Sequence, residues 1–114
     1  MPLKIYHNPR CAKSRETLDL ISGSGQNVEV VEYLKTPPDF AELKDLLNRL
    51  HLKAEQIVRK TEALYKSDFK GKNFNEDEWI TILVENPRLI ERPIVVRGNK
   101  AILGRPPENV LTLL

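Results

Sequence analysis

The N-terminal third of the chain carries a strand–helix–strand pattern, and this pattern restricts the possible folds more than any other feature. Leu3 and Ile5 alternate with less apolar neighbours, and a period of two is typical of a strand. The segment from Ser14 to Ile21 has helical spacing and is followed by glycines, which commonly end helices. The β-branched run Val28–Tyr33 indicates a second strand. Such a unit predicts two parallel strands joined by a right-handed crossover.

Two apolar runs near the C-terminus predict an antiparallel pair in the same sheet. Pro93–Val96 and Ala101–Leu103 flank a Gly98-Asn99 step, which favours a tight hairpin. Glu108–Leu114 indicates a short closing helix with proline in its first turn. The order β-α-β, several helices, β-β-α predicts an α/β, thioredoxin-like fold. We expect a mixed four-stranded sheet, helices on both faces and an inserted helical segment at about residues 37–86, within one domain over residues 1–114.

Helix-start signals divide the predicted insertion. Thr36, followed by two prolines and a carboxylate, is the expected N-cap of a helix with a leucine-rich stripe. The lysine-bearing stretch from Leu52 to Lys72 is less regular and predicts one or two short helices. Asn75, with Glu78 three residues later, predicts the start of a last helix.

Charge and cysteine content exclude several classes of protein. The 18 basic and 16 acidic residues give a net charge of only +2, too even to indicate a nucleic-acid or membrane partner. No apolar run approaches the roughly 20 residues of a membrane helix, and no secretory signal is recognisable. Cys11 is the only cysteine, so no internal disulfide forms and a reducing compartment is indicated. We expect a cytoplasmic monomer with no metal site and no bound cofactor.

Cys11 is the candidate nucleophile. It lies where the loop after the first strand turns into the first helix, so backbone N–H groups and the positive end of the helix dipole face its sulfur. Arg10, Lys13 and Arg15 place three cations within four residues of it. Both conditions lower a thiol pKa, and the same amides suit an anionic substrate. The alternative is a buried, inert cysteine, which the charged surroundings disfavour.

Other polar residues leave two interpretations open. His7 either supports Cys11 or simply ends the first strand, whereas we expect His51 to be a surface residue. Arg92 and Arg105 each precede a proline. Their planar guanidinium groups suit an oxyanion, but solvated arginines beside turn prolines would give the same pattern. The Arg92–Pro93 bond is a candidate for the cis form.

Three segments together resemble the glutaredoxin-coupled arsenate reductase family. They are His7–Arg15, with its H-N-P-x-C pattern, Arg92–Val95, and Gly104–Pro106. The resemblance extends from the first strand to the terminal helix. Ala12 and Lys13 stand where arsenic-resistance members carry glycine and threonine, so the chain is similar to a branch often encoded outside arsenic operons.

The resemblance implies roles for the matching residues. Cys11 matches the family's nucleophile, and His7 matches the histidine near the thiolate. Arg15 matches an arginine in the first helical turn, and Pro93 matches the cis-proline opposite the nucleophile. The implied substrate-binding residues are three arginines: Arg59, Arg92 and Arg105.

The resemblance also implies a reaction. The Cys11 thiolate would displace an oxygen of arsenate while arginines neutralise the bound oxyanion. Glutathione, as co-substrate, would attack the arsenic–cysteine adduct, and glutaredoxin would resolve the resulting species and release arsenite. An external thiol is needed because a second cysteine is absent from the sequence.

Two other functions stay open. Regulators of this superfamily bind RNA polymerase, but they usually carry a CxxC pair where this chain has Ser14. A glutathione-linked thiol oxidoreductase would use Cys11 on mixed disulfides, with arsenate incidental. Several arginines are more than a glutathione disulfide needs, so we favour arsenate reduction.

Overall fold

The computed structural model describes residues 2–114, and four strands form one sheet within them. The strands are β1 (Leu3–His7), β2 (Val28–Glu32), β3 (Ile94–Arg97) and β4 (Lys100–Leu103). Their order in the sheet is β2-β1-β3-β4. β1 is parallel to β2 and antiparallel to β3, and β3 is antiparallel to β4. The predicted mixed four-stranded α/β sheet is therefore confirmed.

Three α-helices and four shorter helical segments complete the described secondary structure. The α-helices are α1 (Ala12–Gly23), α2 (Phe40–Leu50) and α3 (Glu76–Glu85). Three of the shorter segments are 3₁₀ helices: Ala54–Ile57, Pro87–Leu89 and Pro107–Leu113. The fourth, Tyr65–Phe69, is a π-helix. The closing helix predicted at the C-terminus is thus a 3₁₀ helix.

The chain divides into two compact units. The first comprises the chain up to Thr36 together with Arg92–Leu114, and it contains the whole sheet. Its core joins apolar residues of the sheet, of α1 and of the C-terminal 3₁₀ helix. The buried members of this core are Leu3, Ile5, Ile21, Val95, Val110 and Leu113. This packing fixes α1 against the strand that precedes it, and so fixes the loop between them.

The second unit, Pro37–Glu91, is held by an apolar helical core. Helix α2 buries the leucine stripe that the sequence predicts, and α3 buries one face. The buried residues are Leu43, Leu46, Leu47, Leu50, Trp79, Ile80 and Leu83. A single bridge between Val58 and Ile90 ties the irregular stretch to the end of the unit.

The N-cap of α2 differs from the prediction. Asp39, not Thr36, caps the helix, and its carboxylate accepts the Glu42 backbone N–H at 2.8 Å. Pro37 and Pro38 explain the difference, because a residue before proline is held in extended backbone and cannot begin a helix. Thr36 instead donates its backbone N–H to Glu32 in the turn after β2.

The N-cap of α3 is as predicted. The Asn75 side chain accepts the Glu78 backbone N–H at 2.8 Å, and the Glu78 carboxylate accepts the Asn75 backbone N–H at 2.9 Å. This reciprocal pair satisfies two of the donors that every helix start leaves free.

Candidate active site

Cys11 is the N-cap residue of α1. Its backbone is extended, with φ −96° and ψ 123°, and its carbonyl accepts the first helical hydrogen bond from Arg15 at 3.0 Å. Its own N–H donates to Asn8 at 3.0 Å, which closes the loop after β1. The helix begins at Ala12, two residues before the predicted start at Ser14. The sulfur therefore lies at the end of a helix whose first N–H groups have no partner within the helix.

The surroundings of Cys11 favour its thiolate. Burial by itself would raise the pKa of the thiol, since only 9 % of the residue is exposed. The Ser14 backbone N–H, the Arg92 guanidinium and the Lys13 backbone N–H outweigh burial, so the pKa of Cys11 lies below its ordinary value. Backbone N–H groups at a helix start commonly lower the pKa of a cysteine in this way.

Two arginines from outside the Cys11 loop lie against it. Arg105 places Nη2 3.9 Å from the Cys11 sulfur and donates from Nε to the Arg92 carbonyl at 2.8 Å. Nε of Arg92 is buried and has no hydrogen-bond partner anywhere in residues 2–114. Burying an N–H of a charged group without a partner is costly. An anion beside the sulfur would supply that partner.

Both arginines precede cis peptide bonds and are held by backbone contacts. The Arg92–Pro93 bond is cis, as predicted, and so is the Arg105–Pro106 bond, which was not predicted. Gly104 donates its N–H to the Pro93 carbonyl at 2.9 Å. The Asn109 amide donates to the carbonyls on both sides of Gly104, those of Leu103 and Arg105, each at 3.2 Å. The backbone of Arg105 is thereby fixed relative to Pro93.

His7 contacts Ser14. Its Nδ1 lies 2.6 Å from the Ser14 hydroxyl, which also accepts the Asn8 backbone N–H at 3.0 Å. Burial lowers the pKa of His7; Glu32 raises it, and Arg15 lowers it further, with a net decrease. When His7 is neutral, its Nδ1 can accept a hydrogen bond from the Ser14 hydroxyl.

Ser14 thus links His7 to the turn of α1 whose backbone N–H favours the thiolate. Sequence reasoning left the role of His7 open and missed Ser14. The feature of the sequence that could have revealed Ser14 is a serine three residues after the N-cap, on the side of α1 that faces β1.

The charged neighbours of Cys11 do not act as predicted from their spacing. Arg15 donates to the Pro9 carbonyl at 3.0 Å and so braces the loop. Lys13 pairs with Glu16 at 3.9 Å in solvent, and Arg10 is exposed. The guanidinium that lowers the pKa of Cys11 is that of Arg92, not that of a sequence neighbour.

Arg59 belongs to the second unit. Its guanidinium pairs with Glu62 at 2.5 Å through Nη1, and its backbone N–H donates to Leu89 at 2.7 Å. The side chains of this pair are only 17 % and 28 % exposed. The family resemblance implies a substrate-binding role for Arg59, and its ion pair with Glu62 was not predicted from the sequence.

The sequence and the fold both match known proteins. Residues 6–113 match the ArsC family. The chain belongs to the ArsC family. The predicted resemblance to glutaredoxin-dependent arsenate reductases is therefore confirmed, as is the thioredoxin-like fold.

Individual relatives cover nearly the whole chain. It is 50% identical to the uncharacterized protein YfgD of Escherichia coli K12, across 98% of this chain and 96% of that protein. It is 45% identical to an arsenate reductase of Neisseria meningitidis, across 98% and 97%. The solved structure of an arsenate reductase from Vibrio cholerae superposes with a TM-score of 0.94 at 44% identity, covering 100% of this chain and 98% of that one.

Other features of this ArsC family chain concern metals, membranes and His51. Within residues 2–114, no group of three or more histidine, cysteine, aspartate or glutamate side chains could hold a metal ion. None of the helices in that described range is long and apolar enough to cross a bilayer.

His51 is exposed at the C-terminal end of α2 with φ 56°, in agreement with its predicted surface position.

Proposed function

We propose that this ArsC family protein reduces arsenate to arsenite through a covalent adduct on Cys11. One observation carries the proposal: two guanidinium groups, those of Arg92 and Arg105, lie against the sulfur of Cys11, and the pKa of this thiol is lowered. A nucleophile beside fixed cations suits attack on a small oxyanion, because the cations neutralise the charge that would otherwise repel the thiolate. Relatives named arsenate reductase support arsenate as that oxyanion.

The proposed first step joins the Cys11 sulfur to arsenic. The thiolate supplies the electron pair of the new bond, and one arsenate oxygen takes up protons and leaves as water. Arg92 would donate its unpartnered Nε–H to a remaining oxygen, and Arg105 would stabilise the developing charge from its Nη2. In this proposal Arg59 also binds the oxyanion, as the family resemblance implies.

The proposed reduction uses external thiols. Glutathione forms a second arsenic–sulfur bond, with loss of another oxygen as water. A glutaredoxin thiolate then attacks the glutathione sulfur, and the electrons of the broken arsenic–sulfur bond reduce As(V) to As(III). Hydrolysis releases arsenite and returns the Cys11 thiolate. The sequence holds a single cysteine, which supports an external reductant in a reducing compartment such as the cytoplasm.

His7 and Arg15 support this chemistry indirectly in the proposal. His7 positions Ser14, whose backbone N–H favours the thiolate. Arg15 holds the Pro9 carbonyl and so keeps the loop in shape for Cys11.

A coupled assay tests the function. Purified protein with glutathione, glutaredoxin, glutathione reductase and NADPH should oxidise NADPH only when arsenate is added, and Cys11→Ser should reduce the rate to background. Arsenate should also protect Cys11 from alkylation. Efficient reduction of a glutathionylated peptide without any arsenate turnover would overturn the proposal in favour of a thiol oxidoreductase. Cys11-independent binding to the polymerase α subunit, again without turnover, would favour a regulator.

A further inference from the structure

A cleft of about 390 Å³ lies beside the loop that carries Cys11. It is formed where the parallel strands β1 and β2 end, at His7 and Glu32, which are paired in register. The carboxyl ends of parallel strands are the usual place for ligands in open α/β sheets. Arg10 lines the cleft and directly precedes Cys11, so their Cα atoms are about 3.8 Å apart.

The lining of the cleft combines opposite charges with apolar side chains. Arg10 is exposed and has no ion-pair partner in the described range. Lys35 pairs with Glu32 at 3.4 Å, but their side chains are 77 % and 42 % exposed. Such solvated pairs contribute little to stability. Leu34 is 45 % exposed although it is large and apolar. The cleft thus offers two cations, one carboxylate and the apolar side chains of Pro9 and Leu34.

We propose that this cleft binds glutathione beside the loop that carries Cys11. The inference rests on the proposed function, in which an external thiol regenerates the nucleophile. Glutathione carries two carboxylates and one ammonium group at neutral pH, which complements Arg10, Lys35 and Glu32. Its methylene groups can pack on Leu34. The volume of the cleft falls within the range of about 300–1,000 Å³ that is typical of small-molecule sites.

The cleft is separate from the residues around the sulfur. Cys11 does not line it, and neither do Arg92 and Arg105, which lie against the sulfur. Glutathione and the oxyanion would therefore use different residues of the same unit. Such an arrangement allows both to be bound at once, as attack of one on the adduct of the other requires.

Binding can be tested without any reaction. S-methylglutathione keeps the three charged groups but has no free thiol. Titrated into the ¹⁵N-labelled full chain, it should shift the amide resonances of Arg10, Leu34 and Lys35, with saturation approached by about 10 mM for a Kd near 1 mM. Shifts confined to other regions, or none at that concentration, would overturn the assignment.

A charge reversal tests the same site during turnover. Lys35→Glu should raise the KM for glutathione about fivefold, the upper range for one exposed charge. Lys35 is chosen over Arg10 because Arg10 adjoins the nucleophile. Lys100→Glu is the matched control, since it makes the same charge change on β4, the opposite edge of the sheet. An equal KM for glutathione in the two variants would refute the cleft as the site.

The two proposals fail in different ways. If arsenate neither protects Cys11 nor supports turnover, the proposed function is wrong, and the titration with S-methylglutathione still decides whether the cleft binds glutathione. If arsenate is reduced normally but the cleft resonances do not move, only the glutathione site is wrong.

Discussion

Replacing Gly104 by alanine should disturb both the stability of the protein and the reactivity of Cys11. A Cβ at this position would lie 2.6 Å from Thr17 Oγ1 and 2.7 Å from Pro93 Cγ. Both distances are nearly 1 Å short of an ordinary contact of about 3.5 Å. Neither neighbour can give way easily, because Thr17 is fully buried in α1 and Pro93 is a rigid ring immediately before β3.

The expected cost follows from two opposing effects. Overpacking a rigid site costs about 1–3 kcal/mol. Alanine also reduces the freedom of the unfolded chain, which offsets about 0.4–1 kcal/mol. We expect a net destabilisation of about 1–2 kcal/mol, or a urea midpoint lower by about 0.5–1 M. Because Gly104 packs on Pro93, which directly follows Arg92, we also expect the Arg92 guanidinium to move from the sulfur and the pKa of Cys11 to rise.

Urea unfolding and the rate of Cys11 alkylation near pH 7 measure the two effects. Gly23→Ala is the matched control: it lies at the end of α1 and its Cβ would meet nothing within 4 Å. That variant should be as stable as the parent or slightly more so. Thr17→Ala removes two of the three close atoms and should partly rescue Gly104→Ala. Equal stability of Gly104→Ala and Gly23→Ala would refute the steric argument.

Two further predictions concern the thiolate. Folding lowers the pKa of Cys11, so ionisation of the thiol stabilises the folded protein fully above the ordinary thiol pKa of 9.0. This contribution is lost as the pH falls through the lower pKa of the folded state. Urea midpoints should therefore rise with pH more steeply in the parent than in Cys11→Ser, and parallel curves would contradict the shift. Arg92→Ala and Arg105→Ala should each lower kcat/KM for arsenate by the equivalent of about 1.5–3 kcal/mol. Arg88→Ala is the control, because Arg88 is an exposed arginine. Unchanged kinetics in both Arg92→Ala and Arg105→Ala would place the oxyanion elsewhere.

Local sequence patterns were enough to predict the strands of the sheet and one of the helix N-caps. The alternation in β1, the β-branched run of β2 and the Gly98-Asn99 turn are each short-range signals, and all three elements formed as predicted. The cap of α3 was equally local. The cap of α2 was not, because the choice between Thr36 and Asp39 depended on how two consecutive prolines hold the backbone.

The candidate site could be predicted only in part, because its contacts are long-range. Sequence proximity suggested that Arg10, Lys13 and Arg15 act on Cys11, yet Arg15 braces the loop and Arg92 affects the thiol. No periodicity could reveal that Gly104 packs against Thr17 or that Asn109 holds the loop around Arg105. Such contacts follow from tertiary packing and leave no local signal.

The antiparallel pairing of β1 with β3 makes the reactivity of Cys11 depend on folding. Cys11 follows β1 and Arg92 precedes β3, and the register that sets Tyr6 opposite Ile94 brings these two ends together. An unfolded chain has neither that pairing nor the start of α1, so its cysteine is an ordinary thiol. During synthesis Arg92 leaves the ribosome long after Cys11. The thiol of the nascent chain therefore lacks the Arg92 guanidinium until β3 has been made and has paired with β1.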